Sequence, residues 1–231
     1  MRAVTDILEQ SPAPGPAPGD PLPPHLRGWL HLICFVVSLP AGAFVVLAGD
    51  SPRARLAGLV YAIGMSAMFG VSAAYHRRQW SPAARRRMRR TDHGTIFVMI
   101  AGSYTPLCLL ALRITSGTAV LTAVWIAAAV GFGLALSGIA EKAVVGLLCY
   151  FGMGWAAVLA LPELSRQLTG NQIALLVIGG VIYTAGGIVL GTHWPNPSPV
   201  WFGYHEIWHA MVAVACACHY VTILSVVGAG P

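Results

Sequence analysis

The chain has 231 residues, of which 56% are hydrophobic and 10% charged, with 14 Lys and Arg residues against 8 Asp and Glu. Its mean hydropathy is +0.69. Soluble domains carry about a quarter charged residues, so this composition excludes a soluble globular protein and indicates an integral membrane protein.

The first 24 residues contain a Pro/Gly/Ala-rich run, residues 11–20, that cannot form a regular hydrogen-bonded element. We therefore predict a disordered tail over residues 1–24. Acidic residues occupy the positions where a signal peptide would need a basic region and an apolar run, so we predict no cleaved leader. Residues 25–231 are predicted to form one membrane domain.

Seven apolar stretches follow the tail, each close to the ~20 residues that span a hydrocarbon core. They predict an all-α, polytopic membrane protein, a bundle of seven transmembrane helices. The predicted spans are Trp29–Ala48, Leu56–Tyr75, Gly94–Leu112, Ala119–Ala140, Ala143–Leu161, Ile173–Leu190 and His205–Val227.

The Lys and Arg residues predict the orientation of the bundle. The N-terminal tail and the links after spans two, four and six carry ten of these residues, and the other side carries four. The positive-inside rule therefore places the N-terminus in the cytoplasm and the C-terminus outside a cell membrane.

Most of these charges form one predicted loop, with seven arginines between Arg77 and Arg90. We interpret this arginine-rich loop as a topology anchor that contacts anionic lipid headgroups. RNA or a protein partner is the alternative occupant, but the net charge by itself gives no reason to assign a nucleic acid.

The five cysteines all fall inside apolar stretches and show no C-x-x-C spacing. An odd number in such positions predicts neither a disulfide framework nor a thiolate metal site. We expect all five to be buried packing residues.

Ionisable residues within membrane spans are costly and are therefore functional candidates. His205 and His209 lie four residues apart at the start of span seven, so both imidazoles project from one helix face. His76 ends span two, with Ser72 one turn deeper on the same face, and Asp92 begins span three. The predicted topology brings all five residues to one depth near the cytoplasmic face.

Three neutral imidazoles with an open fourth position are the ligand set of a catalytic zinc ion. We therefore predict Zn²⁺ bound by His76, His205 and His209, with Asp92 orienting water or accepting its proton. Ser72 would hold the water or an intermediate by a hydrogen bond. The alternatives are packing roles for the histidines and, for Asp92, an N-cap of span three or a salt bridge to Arg89 or Arg90.

Three spaced motifs make the chain resemble the hemolysin III family. That family belongs with the progestin and adipoQ receptors and, more widely, with the alkaline-ceramidase-like membrane hydrolases. The motifs are Ser72-Ala-Ala-Tyr-His76, Asp92-His-Gly-Thr-Ile-Phe with Gly102-Ser-Tyr-Thr-Pro106, and His205-Glu-Ile-Trp-His209.

The resemblance implies a seven-helix bundle with zinc held by His76, His205 and His209, and with Ser72 and Asp92 beside them. The wider superfamily implies hydrolysis of lipid amides, whereas the family name reflects a cell-lysis phenotype. One departure concerns span one, where many relatives carry a Glu and an Asn ahead of a His. Here only His31 is present, and we interpret it as an interfacial or packing residue.

The same stretch spells H-E-x-x-H, which is also the signature of zinc metalloproteases with the Glu as general base. No Asp or Glu follows Glu206 to act as the usual third ligand. Glu206 also lies ~100° around the helix from His205, so we interpret it as a carboxylate that stabilises the helix start.

Three functions therefore remain at the level of sequence. The first is a zinc-dependent hydrolase for an amide or ester of a membrane lipid, the second a pore-forming cytolytic protein, and the third a sensor with a structural zinc. Three further histidines are placed outside the site: His93 at a helix start or interface, His219 toward the outer leaflet, and His193 in a cytoplasmic link that could cover the site.

Overall fold

A computed structural model describes residues 24–139 and 143–229. These residues are almost entirely helical, and the predicted disordered tail lies outside them except for Pro24. The helices are α1 (Trp29–Ala48), α2 (Pro52–Arg77), α3 (Pro82–Pro106), α4 (Ile114–Ser137), α5 (Ala143–Trp155), α6 (Ala157–Gln167), α7 (Gly170–Thr192) and α8 (Tyr204–Gly228).

Among the described residues, seven segments are long and apolar enough to cross a membrane, which confirms the predicted all-α architecture. The first span, α1, has the predicted bounds, and the seventh, α8, begins one residue earlier than predicted. Large apolar side chains such as Ile33, Val36 and Leu47 of α1 are more than half exposed. Such helices suit lipid, because an apolar outer surface is unfavourable only in water.

The third span differs from its prediction at its start. We expected a loop up to Gly94, but α3 begins at Pro82 and includes the last five of the clustered arginines. Ser81 caps this helix by accepting from the Ala84 N–H, and proline suits the first helical turn. Arginine is itself a good helix former, so the arginine-rich segment is largely helical instead of a loop.

Two other spans are irregular. After Pro106, α3 continues as a π-helical turn, Leu107–Ala111, as happens where a proline removes a helical hydrogen bond. The fifth span is divided between α5 and α6 at Trp155, so the predicted span Ala143–Leu161 is two helices and not one.

The helices pack mainly against their neighbours in sequence, and α8 closes the bundle against α1, α2, α3 and α7. The first turns of α1 and α8 therefore meet the last turn of α2 at one end of the bundle. This end carries all the residues of the predicted site. The location of this end of the bundle in the cytoplasmic leaflet remains a prediction, based on the count of arginines.

The largest core cluster lies between α1, α2, α3 and α8. Ile223 of α8 is fully buried there, together with Tyr61 and Val45, and Met65 is almost so. Of the five cysteines, Cys108 and Cys216 are buried and the other three are partly exposed, and all five have free thiols. The expected burial of every cysteine is thus confirmed only for those two.

We expect Ile223→Ala to lower the thermal stability of the detergent-solubilised protein, by about 2 kcal/mol, because a cavity forms in close-packed helices. Val221→Ala, two residues away on the lipid-facing side and 53% exposed, is the matched control. Its side chain contacts lipid or detergent, so we expect little change. Equal melting temperatures for the two variants would contradict this packing.

Candidate metal centre

Three histidines converge at the end of the bundle where α2 ends and α8 begins. Their ring centroids are 4.9 Å apart for His76 and His205, 5.1 Å for His76 and His209, and 4.6 Å for His205 and His209. One nitrogen from each ring lies within 4.8 Å of the other two. Within residues 24–139 and 143–229, no other three potential metal-ligating side chains come together in this way.

The helices explain why these rings meet. His205 and His209 stand one above the other on α8 because they are four residues apart. His76 is in the last turn of α2, with Ser72 buried one turn deeper on the same face. The fold therefore brings His76 of α2 next to the two histidines of α8, as predicted from two distant parts of the sequence.

The spacing of the nitrogens suits a small metal ion. The Nε2 atoms of His76 and His205 are 3.3 Å apart. Two imidazole ligands at ~2.0–2.1 Å from a tetrahedral zinc ion have nitrogens about 3.3 Å from each other. His209 is 3% exposed, so the site is also screened from bulk solvent.

Asp92 lies beside this cluster, with its Oδ2 atom 4.0 Å from Nε2 of His76. Ser72 is buried on the same face of α2 as His76 and lies next to this carboxyl group. The alternative role of Asp92 as an N-cap is wrong, because α3 begins ten residues earlier, at Pro82. Asp92 therefore enters the site from the interior of a helix.

Glu206 has a different environment from Asp92. Its Oε2 atom accepts a 2.9 Å hydrogen bond from the Gly203 N–H, and its Oε1 atom forms an ion pair with the Arg27 guanidinium. Its interpretation as a carboxylate of the helix start is thus confirmed. Both oxygens are engaged, which disfavours the general-base role that a metalloprotease would require.

The segment before α1 covers this end of the bundle. The His25 and Leu26 N–H groups donate to the carbonyls of Val200 and Trp201, at 2.9 and 3.3 Å. Gly28 has a φ of +78°, and a Cβ atom there would lie 2.7 Å from Cβ of His76. Glycine at this position lets the segment turn into α1 directly against a site residue.

Two residues near the site were not assigned to it by the sequence. Arg27 appeared only in the charge count, although a buried glutamate in an apolar helix signals the need for a cation. His31 is 4% exposed, and its ring stacks on that of His209. His31 is a packing residue, as expected, but it packs against His209, a histidine of the candidate site.

The other histidines lie outside the cluster, as expected. The His193 ring contacts Tyr204, with centroids 4.5 Å apart, in the link before α8. His219 lies near the Leu176 carbonyl, with Nε2 and oxygen 3.3 Å apart. The His93 carbonyl accepts a hydrogen bond from the Tyr150 hydroxyl.

The described residues contain seven apolar spans and a histidine cluster at one end, in which His209 is buried and the other two rings are partly buried. These features define a multi-pass membrane protein with a candidate metal centre. The family model described as "Haemolysin-III related" matches residues 22–220. The chain therefore belongs to the haemolysin-III related family.

Individual relatives agree with this assignment. The chain is 28% identical to Hemolysin-3 of Bacillus cereus over 200 residues, which cover 84% of this chain and 87% of that protein. It is 31% identical to a Hemolysin-3 homolog of Bacillus subtilis (strain 168) over 136 residues, or 58% and 60% of the two chains. It is also 25% identical to the human monocyte to macrophage differentiation factor over 199 residues, or 84% and 80%.

We expect Arg27→Ala to destabilise the protein by about 3 kcal/mol, because it leaves the Glu206 carboxylate buried without its cation. The double variant Arg27→Ala/Glu206→Gln should recover much of this loss, since no buried charge then remains. Thermal unfolding in detergent measures both effects. Arg53→Ala, at an exposed arginine at the start of α2, is the control, and an equal loss there would contradict the ion pair.

Proposed function

We propose that the protein is a zinc-dependent hydrolase of a lipid amide or ester, with its site in the cytoplasmic leaflet. The observation that carries this proposal is the meeting of three histidines with the Asp92 carboxyl group inside a membrane bundle. Ionisable groups at membrane depth are retained for function by default. The approach of a carboxyl group to three imidazoles is the arrangement of hydrolytic zinc sites.

Zinc fits the donor set better than the hard cations do. Mg²⁺ and Ca²⁺ prefer oxygen ligands, whereas three imidazoles suit a borderline ion such as zinc. Three protein ligands leave a fourth position open, which is the pattern of catalytic and not structural sites. A zinc ion in this site would supply a Lewis acid that activates water and polarises a carbonyl group.

The residues around the histidines have separate roles in this proposal. Asp92 orients the attacking water and accepts its proton, and Ser72 holds the carboxyl group in position. The oxygen of that water bonds to the carbonyl carbon, the bond to nitrogen or oxygen of the leaving group breaks, and Asp92 returns the proton to that group. Arg27 keeps Glu206 out of this chemistry by pairing with it.

A crevice between the starts of α1 and α8 offers a route for a lipid chain. Its volume is about 200 Å³, and the buried residues His209 and Glu206 are part of its lining. Leu26, Trp29 and Ile33 are each more than 40% exposed on the side that faces lipid. An acyl chain that enters this crevice would replace lipid there and would stay in an apolar environment. The lining residues are Leu26, Trp29, Leu30, Ile33, Phe202, Glu206 and His209.

The arginine-rich segment, residues 77–90, is proposed to bind the headgroups of anionic lipids. Some of its arginines also pack on aromatic rings, with Arg77 over Trp29 at 4.0 Å and Arg85 over Tyr75 at 5.8 Å. Trp and Tyr rings favour the membrane interface, so these pairs suit the headgroup level. The segment would hold this end of the bundle at the membrane surface.

We expect the purified protein to carry about one zinc ion per chain, and His76→Ala, His205→Ala and His209→Ala each to lose most of it, because each removes one of three ligands. Elemental analysis by mass spectrometry measures the metal directly. His25→Ala, at an exposed histidine of the neighbouring segment, is the control and should keep its zinc. A wild-type protein free of transition metal would rule out the site.

We expect Asp92→Asn to reduce hydrolysis by at least ~100-fold while the bound zinc is retained, because it removes the proton acceptor but no ligand. Release of a fluorescent fatty acid, from an N-acyl sphingoid amide and from an acyl ester presented in mixed micelles, is the measurement. Asp50→Asn is the control, since Asp50 is an exposed residue in the link between α1 and α2.

Two relatives bear the name Hemolysin-3, which keeps a pore as the alternative function. Ion conductance in reconstituted bilayers that persists in His209→Ala, with no turnover of either lipid by the wild type, would favour the pore. Bound zinc with neither turnover nor conductance would favour a sensor with a structural metal. Both outcomes contradict the hydrolase.

A further inference from the structure

His31 of α1 lies directly against the candidate metal centre. Its ring is stacked on that of His209, with centroids 3.8 Å apart and planes inclined by 12°. The Phe69 ring also packs against His31, with centroids 5.1 Å apart and planes at 74°. His31 therefore contacts both a core aromatic ring and a candidate ligand.

The side chains of His31 and His209 meet through their ring faces. By distance and angle, neither ring nitrogen of His31 makes a hydrogen bond among the described residues, although the His209 backbone lies close to this ring. A buried polar atom without a partner is unfavourable by about 1–3 kcal/mol, so an apolar residue would serve better if His31 only filled space. The flat ring is the property that this position uses.

His209 needs an element that fixes its ring. Metal-binding histidines usually donate their second N–H to a carboxylate or carbonyl group, which sets the ring orientation. Among the aromatic rings of the described part of the chain, the His209 ring contacts the imidazoles of His31, His76 and His205. The helix limits rotation about Cα–Cβ, but rotation about Cβ–Cγ remains broad for histidine. A parallel ring at 3.8 Å restricts this second rotation.

We propose that His31 is a positioning residue that holds the His209 ring, by stacking, in the plane required for metal binding. This inference rests on the proposed metal site and adds a residue to it. A metal ion withdraws electron density from the ring that binds it, and an electron-poor ring stacks more favourably on an electron-rich one. Stacking and metal binding at His209 therefore support each other.

Two substitutions separate ring stacking from the other roles of His31. His31→Phe keeps a flat ring and removes both nitrogens, whereas His31→Leu removes the flat ring as well. We expect the dissociation constant for zinc, measured by chelator competition, to rise ~10- to 100-fold in His31→Leu, as for other residues that orient metal ligands. In His31→Phe we expect it to stay within about threefold of the wild type.

Replacement of zinc by cobalt(II) allows the geometry of the metal ligands to be measured. The visible absorption of bound Co²⁺ reports the arrangement of its ligands, so His31→Leu should change the spectrum and His31→Phe should preserve it. A residue needed only for folding would change the yield of folded protein and leave the spectrum of the folded fraction unaltered. An altered spectrum in both variants, or in neither, would overturn the proposal.

A metal-free measurement tests the stack without any variant. In protein labelled at histidine, nuclear Overhauser contacts between the His31 and His209 rings are expected, with His209 ring protons shifted upfield by the parallel ring. Absence of both signals would overturn the positioning role even if zinc binds. If the wild type binds no metal, the proposed function fails together with this role, whereas equal zinc affinity in wild type and His31→Leu defeats this inference alone.

Discussion

The contact between the last turn of α2 and the first turns of α8 determines what this bundle can do. It brings Nε2 of His76 within 3.3 Å of Nε2 of His205, although the two residues are 129 positions apart. Polar rings at membrane depth are costly and are therefore retained for function by default. Gly28 has no side chain, so the chain can pass directly against His76 as it enters α1. The ion pair of Arg27 with Glu206 also holds the start of α1 near this contact.

Much of this arrangement could be predicted from the sequence. Long apolar stretches gave the spans, since hydrocarbon thickness fixes their length and composition. The spacing of His205 and His209 predicted a shared helix face, and the count of arginines placed His76 and Asp92 at the same end. The start of α3 was missed, because a run of arginines was assigned to a loop although Ser81 and Pro82 are residues that begin helices.

The remaining features depend on how helices are rotated and packed, which one sequence does not specify. The pairing of Arg27 with Glu206 joins residues 179 positions apart, and any of several arginines could have supplied the charge. The stacking of His31 on His209 requires a particular rotation of α1 about its axis. A helix with apolar residues on all sides gives no periodic signal for such a rotation.

The H-E-x-x-H spelling shows how a fold changes the meaning of a motif. In a soluble metalloprotease the glutamate faces the metal, whereas here the first turn of α8 directs Glu206 to its own backbone and to Arg27, which precedes α1. Its carboxylate thereby stabilises the start of the helix that carries two of the candidate ligands. The carboxyl group next to the histidines comes instead from α3.

The length of α3 has a consequence for depth. With its π-helical end this span has 30 residues, about 45 Å at 1.5 Å per residue, against a hydrocarbon core of about 30 Å. The excess length carries Arg85–Arg90, and Asp92 follows within one turn. With these arginines at the headgroups, as proposed, Asp92 would lie just below the membrane surface, where the polar linkages of lipids join their acyl chains. The length of α3 would then set a carboxyl group at the level of those linkages.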